Sequence, residues 1–565
     1  MLPWYGCGQA RSRGAPVCRY VPIQYTPAMS PRIRWALLLS VACFLLAVIM
    51  QAPQWLRTQD PRYQGVPIDL NSDEGIYQAR VEEALSGRPG QAGEAITGDP
   101  RLEGMQSALL ERLIGQAFAG MGLHASDVFT IGDSVIPALL FLALWFFLRR
   151  SGFSRRMALL GALLFVAVEF YSLNRPLYQR TSTLLALLAL LGIIAGLERH
   201  WLWAVAGGLL MGLLTSVYFW SWTFVWLWWG LLCLFVLLRR PRMQQVRVLG
   251  IAGASGVIGA LPFVLTTLRQ AGHPQMVDTL FRSALHPSWL PESWPYTILF
   301  FGMAAGALVA FVQDGARLRP YAYAVITILA GCFALNQSFI HGRVFEFTSH
   351  YLFLLVIAAV CSLLLALALR FRPRVLAACL LCPLIYLSAL MGDQLISLRS
   401  QFSVRASDFA YQYLSGPLFL LHGMPRVRIL SDSDTSQFIA AYTHHDVVYS
   451  IYLKDALMSS REIAHRYCLT VAAVPPANRH PELQKHLVWP DANRAYGEDV
   501  RRREVDLVTR ACANIDRHMP LALRAFGVTH VLWDERMQPQ WEIARLGVPL
   551  REVQSGSGWS LWELR

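Results

Sequence analysis

Eleven stretches of the chain are almost continuously apolar: 33–52, 130–148, 157–173, 182–197, 201–217, 219–238, 248–268, 295–312, 321–338, 351–369 and 375–395. A helix that spans a bilayer needs about 20 such residues. The pattern therefore predicts a polytopic α-helical membrane core of about 11 transmembrane helices over 33–395. Two longer polar segments interrupt it, a first loop at 53–129 and a C-terminal part at 396–565. In the loop, Ile76, Tyr77, Val81, Ala84 and Leu85 share one helical face, with Ser72 or Asp73 as cap and Gly87 as stop. Met105, Leu109, Leu113 and Ala117 follow at i+4 steps. Both patterns predict helices lying on the outer membrane surface. Segment 396–565 alternates candidate strands (427–430, 447–453, 469–474, 529–534) with helical stretches, which predicts an α/β domain. The tract 489–506 is polar and expected to be exposed.

The connectors set the orientation. Those at 149–156, 198–200, 239–247, 313–320 and 370–374 are short and hold 14 arginines. The alternate set (174–181, 269–294, 339–350) holds only Arg175, Arg180, Arg269, Arg282 and Arg343. By the positive-inside rule the first set is cytoplasmic. Arg11, Arg13, Arg19, Arg32 and Arg34 then place the N-terminal tail, 1–32, on the same side. Eleven crossings put 396–565 outside, as an extracytoplasmic domain. Residues 1–28 show no periodicity, and Met29 just before the first span reads as the natural start, so translation is expected to begin there. The apolar run 35–50 could pass for a signal-peptide core, but Val48-Ile-Met-Gln-Ala-Pro-Gln54 is a poor cleavage site, and a retained helix is expected.

Composition agrees with a bilayer protein: 55% of residues are hydrophobic and 15% charged, where soluble domains carry about 25%. A cytosolic enzyme and a disordered chain are excluded. The net charge of +13 would suggest nucleic acid in a soluble protein; here the arginines are a topology signal, and no nucleic-acid partner is expected. There is no Walker A loop, no GxGxxG in a βαβ setting and no HExxH, which argues against an ATP-driven pump, a dinucleotide enzyme and a zinc protease. Cys379 and Cys382 lie in an apolar helix, where packing is the simpler reading than metal binding. Cys468 and Cys512 fall in the outward domain, where oxidation permits a disulfide. His444-His445 reads as a satisfied pair, since a third metal ligand is not evident.

The stretch from Asn71 to Gly87 holds the candidate chemistry. Asp73 and Glu74 sit at a helix N-terminus, where the dipole favours ionised carboxylates. They lie just outside the membrane, where a lipid-linked substrate presents its head group. Such a pair can act as general base on an acceptor hydroxyl or amine, or help hold a cation. The alternative is a capping Asp beside a solvated Glu. Arg175, Arg180 and Arg343 each flank a span on the outer side. They are either snorkelling cations or a clamp for phosphate or pyrophosphate, which suits the guanidinium fork. His341, Glu346 and His350 crowd the same turn as Arg343, with Glu346 and His350 as a competing i, i+4 pair. Tyr178 and Gln179 are candidate contacts to sugar hydroxyls.

Asp73-Glu74-x-x-Tyr77-Gln78-x-Arg80 resembles the acidic pair followed by Tyr, His and Arg in oligosaccharyltransferase catalytic subunits. More widely it resembles the GT-C glycosyltransferases, in which a first-loop acid is catalytic; the Asp-Glu dipeptide also looks like the protein O-mannosyltransferases. Tyr218–Phe224 is similar to the family's aromatic turn, and His286–Tyr296 to its long outer loop. His341–Phe347 resembles the element whose arginine faces donor phosphates, and Phe526–Leu532 the late strand motif. Two departures stand out. The second outer loop, Asn174–Arg180, lacks the family's metal-binding acidic pair. Ser431-Asp-Ser-Asp-Thr-Ser436 replaces the tryptophan-rich acceptor motif, keeping only Asp434. The resemblance therefore implies a GT-C-like membrane glycosyltransferase with a different acceptor. Its donor would be a sugar or oligosaccharide on polyprenyl phosphate or pyrophosphate, and its acceptor a protein or glycolipid on the extracytoplasmic face of a bacterial inner membrane. Asp73 would be the base and Glu74 its partner; Arg343, Arg80, Arg180, Tyr178, His341 and His286 would serve the donor phosphate and sugar. No cofactor is assigned; a Mg or Mn ion would lack its family ligands, so a metal-independent displacement is expected. Two other readings stay open: a glycolipid-modifying transferase, and a non-catalytic membrane scaffold or transporter that keeps the fold.

Overall fold

The computed structural model describes residues 30–68, 74–87, 96–98, 104, 107–170, 172–174, 177–239, 242–282, 286–313, 315–344, 348–368, 373–480 and 498–565. Residues 1–29, and with them the expected start at Met29, lie outside these. Each of the eleven apolar stretches forms a helix: α1 (Pro31–Thr58), α4 (Ala125–Arg150), α5 (Arg155–Glu169), α6 (Leu177–Glu198), α7 (Trp201–Leu213), α8 (Phe219–Leu237), α9 (Met243–Ala271), α11 (Trp294–Gln313), α13 (Ala322–Leu335), α15 (Leu352–Ala368) and α16 (Pro373–Phe402). Between them come α2 (Glu74–Leu85), α3 (Leu109–Phe118), α10 (Met276–Arg282) and the single turns α12 (Gly315–Leu318) and α14 (Ser338–His341). Among the described residues, seven helices are long and apolar enough to cross a membrane, and three apolar segments (Trp201–Ser216, Arg319–Leu335, Leu352–Ala368) are shorter. The protein is an integral, polytopic helical membrane protein with a C-terminal sheet domain.

Helix starts follow local chemistry. Ser30 accepts from the Ile33 amide at 3.4 Å, with Pro31 opening α1, and Ser154 caps α5 through Met157 at 3.3 Å. Inside the bundle, small residues bring backbones together. A Cβ at Gly212 would overlap the Gly256 carbonyl oxygen, and one at Gly208 the Ala252 carbonyl, so α7 lies directly on α9. Sparse polar pairs join other helices: Trp228 Nε1 donates to Thr327 Oγ1 at 3.0 Å, and Thr297 Oγ1 to Asn336 Oδ1 at 2.8 Å. At the far end of α1, Arg57 donates to Asp408 at 2.9 Å and to the Gln401 carbonyl at 2.7 Å, tying α1 to the end of α16.

The C-terminal domain is a five-stranded mixed sheet in the order β4-β3-β5-β7-β6. β3 (Arg428–Leu430) runs parallel to β4 (Asp446–Val447) and β5 (His530–Asp534); β7 (Trp559–Leu564) is antiparallel to β5 and to β6 (Leu550–Gly556). Its helices are α17 (Ser415–His422), α18 (Ser433–Tyr442), α19 (Ser460–Thr470), α20 (Glu498–Arg517) and α21 (Met519–Ala525). Two sequence expectations are corrected. The run 447–453 is a strand only at Val447, and turns 3-10 at Ile451–Asp455 after Ser450 caps it through the Tyr452 amide. The run 469–474 is no strand: α19 starts at the Ser459 cap, runs to Thr470, and buries this apolar end beneath α20. Cys468 on α19 is disulfide-bonded to Cys512 on α20. The polar tract 489–506 is helical from Glu498 onward, with residues 489–497 outside the described ones.

The first loop also departs from its reading. α2 does not lie on the membrane surface with its apolar face; it is enclosed between α3 and α18, so Ile76, Val81 and Ala84 are buried, and so are Gln78 and Arg80. On α3 the buried row is Leu110, Glu111 and Gly115, whereas Leu113 is 46% exposed and Ala117 is exposed too. The i+4 apolar row turns outward at Leu113 and Ala117, with Leu109 half-buried and Met105 outside the described residues. Its neighbour in sequence, the row with the glutamate, faces the protein.

Candidate functional site

α2 begins at Glu74, which is buried, and its next turns carry Tyr77 and Arg80 inward. Arg80 Nη1 lies 3.3 Å from Glu111 Oε1, with both side chains buried. The other oxygen of Glu111 accepts a hydrogen bond from the Tyr178 hydroxyl, which also sits 2.8 Å from the Ser107 carbonyl. A buried carboxylate needs such partners to remain charged, and here α2 and the start of α6 supply them to Glu111 of α3. Removing Arg80 takes from the buried Glu111 carboxylate its cationic partner. The network thus ties α2 to α3 and to the start of α6.

In front of it lies a cavity of about 430 Å3. Tyr77, Tyr178, Tyr218, Trp220, Gln270 and Asp455 are among its walls. The aromatic rings run in series: Tyr77 to Tyr178 at 4.9 Å between centroids, Tyr178 to Tyr218 at 6.0 Å, Tyr218 to Trp220 at 4.9 Å, and Trp220 to His350 at 4.3 Å. α6, α8 and α9 contribute the membrane-side wall, and Asp455 reaches it from the C-terminal domain. An apolar, aromatic enclosure with a few convergent polar groups is the usual form of a small-molecule site. Tyr218–Phe224, read from the sequence as an aromatic turn, supplies one wall.

The C-terminal domain is held over this cavity by α10. Arg282 is fully buried and donates to the carbonyls of Lys454 (3.0 Å), Ala456 (3.0 Å) and Met458 (2.7 Å), and to Ser460 Oγ (3.0 Å). Thr279 Oγ1 reaches the Ala456 carbonyl at 3.1 Å, and the Ser460 amide donates to Asp278 at 3.1 Å. Burial lowers the Arg282 pKa to about 10, against the favourable pull of Asp278 and Asp455; it stays charged at neutral pH.

The structure brings together two motifs that are more than fifty residues apart. β1 (His286–Pro287) and β2 (Arg343–Val344) pair antiparallel, with Pro287 opposite Arg343 and His286 opposite Val344. The Ser288 amide donates to the Gly342 carbonyl at 3.0 Å, and Trp289 packs so closely on Gly342, at φ +66°, that a Cβ there would meet its ring at 2.6 Å. Arg343 is exposed, and its amide donates to His341 Nδ1 at 3.2 Å. Burial, then the Arg343 charge, lowers the His341 pKa below the ordinary imidazole value.

Arg180 is placed otherwise. It is wholly buried, in an ion pair with Asp133 of α4, and Nη1 donates to the Leu173 carbonyl at 2.9 Å. Asp73, Arg175 and Glu346 lie outside the described residues. Ser431–Ser436 forms the strand-to-helix turn before α18: Asp432 accepts from the Asp434 (3.0 Å) and Thr435 (3.1 Å) amides, and burial raises its pKa. His445 is held by backbone on both sides, accepting from the Val427 amide at 3.1 Å and bonding the Leu421 carbonyl at 2.8 Å; His444 bonds the Met424 carbonyl at 3.0 Å. Among the described residues, no group of three or more His, Cys, Asp or Glu is arranged to hold a metal ion. Glu111, Asp455 and Arg282 are the residues that sequence reasoning passed over. For Glu111 the signal was a lone acid on the row beside an apolar one; for the other two there was none.

No family model and no curated protein matches the chain. Among solved structures it is similar to an Archaeoglobus fulgidus oligosaccharyltransferase tethered with an acceptor peptide, at 11% identity over 94% of this chain and 74% of that one, with a TM-score of 0.46. It is similar to ArnT from Cupriavidus metallidurans bound to undecaprenyl phosphate, at 13% identity over 94% and 98%, TM-score 0.46. It is also similar to the arabinofuranosyltransferase AftD from Mycobacteria, at 13% identity over 94% of this chain and 40% of that one, TM-score 0.49. The first is the kind of protein that the sequence motifs resemble. These likenesses concern the course of the chain, and nothing about the site is taken from them.

Proposed function

We propose that the protein is a membrane glycosyltransferase that moves a sugar or oligosaccharide from a polyprenyl-phosphate or -pyrophosphate donor to an acceptor on the extracytoplasmic face. The observation that carries this reading is the aromatic cavity at the ends of α6, α8 and α9, closed by Asp455 and backed by the Arg80–Glu111–Tyr178 network. Aromatic faces suit the C–H face of a sugar ring, and the flanking hydroxyl, amide and carboxylate groups suit its hydroxyls. The proposed topology has eleven crossings, with the N-terminus cytoplasmic and residues 396–565 outside, in a bacterial inner membrane. Asp73 takes the proton of the acceptor nucleophile as that oxygen or nitrogen attacks the anomeric carbon. The bond from that carbon to the phosphate oxygen breaks, and the lipid phosphate leaves with the bonding pair. Glu74 supports Asp73, and Arg343, beside His341 and the His286 ribbon, faces the departing phosphate. Arg80 and Tyr178 position α2 through Glu111, and Arg180 orients the start of α6 through Asp133. The capping role of Ser431–Ser436 beneath α2 favours an acceptor other than a peptide sequon, such as a glycolipid.

A deletion strain complemented with wild type or with Asp73→Asn tests this. Envelope lipids, glycans and glycoproteins are profiled by mass spectrometry. A sugar modification restored by wild type alone supports the transferase and names sugar and acceptor class. Equal restoration by both would make Asp73 a helix cap and refute its catalytic role.

A further inference from the structure

A second cleft, of about 510 Å3, shares no wall residue with the aromatic cavity. It opens between the segment that follows α1, the segment that follows α16, and the β5–β7 edge of the C-terminal domain. Two arginines line it, Arg62 and Arg536, among Gln64, Tyr413, Ser557 and Trp559. Both guanidinium planes are laid on aromatic rings: Arg62 stands 4.4 Å above Phe409, and Arg536 4.2 Å above Tyr413. Both are also fixed in rotation. Arg62 gives Nε and Nη2 to the two oxygens of Asp60, each at 2.8 Å, and Arg536 gives Nη2 to the carbonyl and the hydroxyl of Ser557, each at 3.2 Å. Gly558, at φ +91°, lets the Arg536 stem lie across the backbone. Both side chains are exposed, and each fork keeps Nη1 uncommitted among the described residues, with its orientation set in advance.

We infer that this cleft is an oxyanion-binding site, in which Arg62 and Arg536 hold one phosphate-type or carboxylate group between two pre-oriented guanidinium forks. Asp60 balances one arginine, so the pair retains charge for about one anion. The shape is that of a planar donor site for a tetrahedral or trigonal oxyanion, which arginine serves far better than lysine. Arg62 lies four residues beyond the end of α1, an apolar helix long enough to cross a membrane. The anion is thus either a free phosphate-like group or the phosphodiester of a membrane lipid. The site does not depend on the transferase reading.

The full-length protein in phosphatidylcholine nanodiscs is titrated with inorganic phosphate at constant ionic strength, and unfolding temperature is read. Saturable stabilisation beyond matched chloride is expected, with the apparent dissociation constant raised about tenfold or more by Arg536→Gln. Arg536→Lys should weaken it too, because a point charge cannot replace the fork. Arg62→Gln, on the opposite wall, gives the same readout independently should Arg536→Gln fail to fold. In a second arm without phosphate, discs containing phosphatidylglycerol replace the plain ones. Arginine-dependent stabilisation in that arm alone identifies a lipid headgroup, and in the phosphate arm a free oxyanion. Stabilisation no greater than with chloride in both arms, or unchanged in both Arg→Gln variants, overturns the inference.

Discussion

Arg282→Met isolates what holds the C-terminal domain over the cavity. The substitution keeps the bulk of the stem and deletes the guanidinium that reaches Lys454, Ala456, Met458 and Ser460. A hydrogen bond to a charged donor contributes about 1.5–3 kcal/mol, and a buried acceptor left bare costs about 1–3 kcal/mol. Three carbonyls lose a donor at once. Because the lost charge also removes its own desolvation penalty, the net cost is about 3–5 kcal/mol, as for breaking other buried charge networks. The loss falls on docking rather than on the sheet or the helix bundle, neither of which contains these contacts. Hydrogen exchange followed by mass spectrometry reads it locally: amides of residues 454–460 should exchange about a hundredfold faster or more, while β5 and β7 keep their protection. Arg282→Lys should fall between, having three donors in place of five. Unchanged exchange at 454–460 in Arg282→Met would mean that the domain is held elsewhere, and the reasoning from α10 would fail.

Three further outcomes are expected. Burial raises the Glu83 pKa to about 7, against the pull of Arg112; its folded value exceeds its unfolded one, so its contribution is present below the ordinary Glu range and lost as pH rises through about 7. Wild-type stability should therefore decline over that window by an amount on the order of 1 kcal/mol, read as a lower unfolding temperature, and Glu83→Gln should flatten it. Gly212→Leu should force α7 off α9 and cost about 1–3 kcal/mol or more, read as reduced thermal stability in detergent; native-like stability would show that the close approach at Gly256 is not needed. Tyr178→Phe should leave Glu111 short of a donor at a cost of about 1–3 kcal/mol. It should also lower turnover of the proposed transfer reaction, because it loosens α2.

All the apolar helices were legible in the sequence because lipid-facing and buried positions alike are apolar there, so position along the chain is enough. Strands β3 and β5 were legible for a similar reason, being central in the sheet with apolar centres, Ile429-Leu430 and Val531–Trp533. The run 469–474 misled because a short apolar stretch carries no period, and only the Ser459 cap ten residues earlier decides for helix. The hairpin β6–β7 was missed: β6 is mostly exposed and mixes charges with glycine and serine. Around the site, Tyr178, Arg80 and the aromatic turn were recognised as candidates, yet the acid that binds the first two, Glu111, was not. Its partners come from helices 31 and 67 residues away, and no local pattern encodes that. The pairing of Arg180 with Asp133 is hidden in the same way, inside two helices that each read as apolar.

The position of Asp455 bears on how the protein is made. The membrane helices can insert and pack as they leave the ribosome, but the cavity they border still has no lid. Asp455 ends a 3-10 turn of the domain whose sheet has β7, the last of its strands in the chain, between β5 and β6. During translation the cavity therefore stays uncovered until β7 has joined the sheet. A chain cut short before Trp559 would carry every helix of the core and a cavity still lacking a completed domain above it.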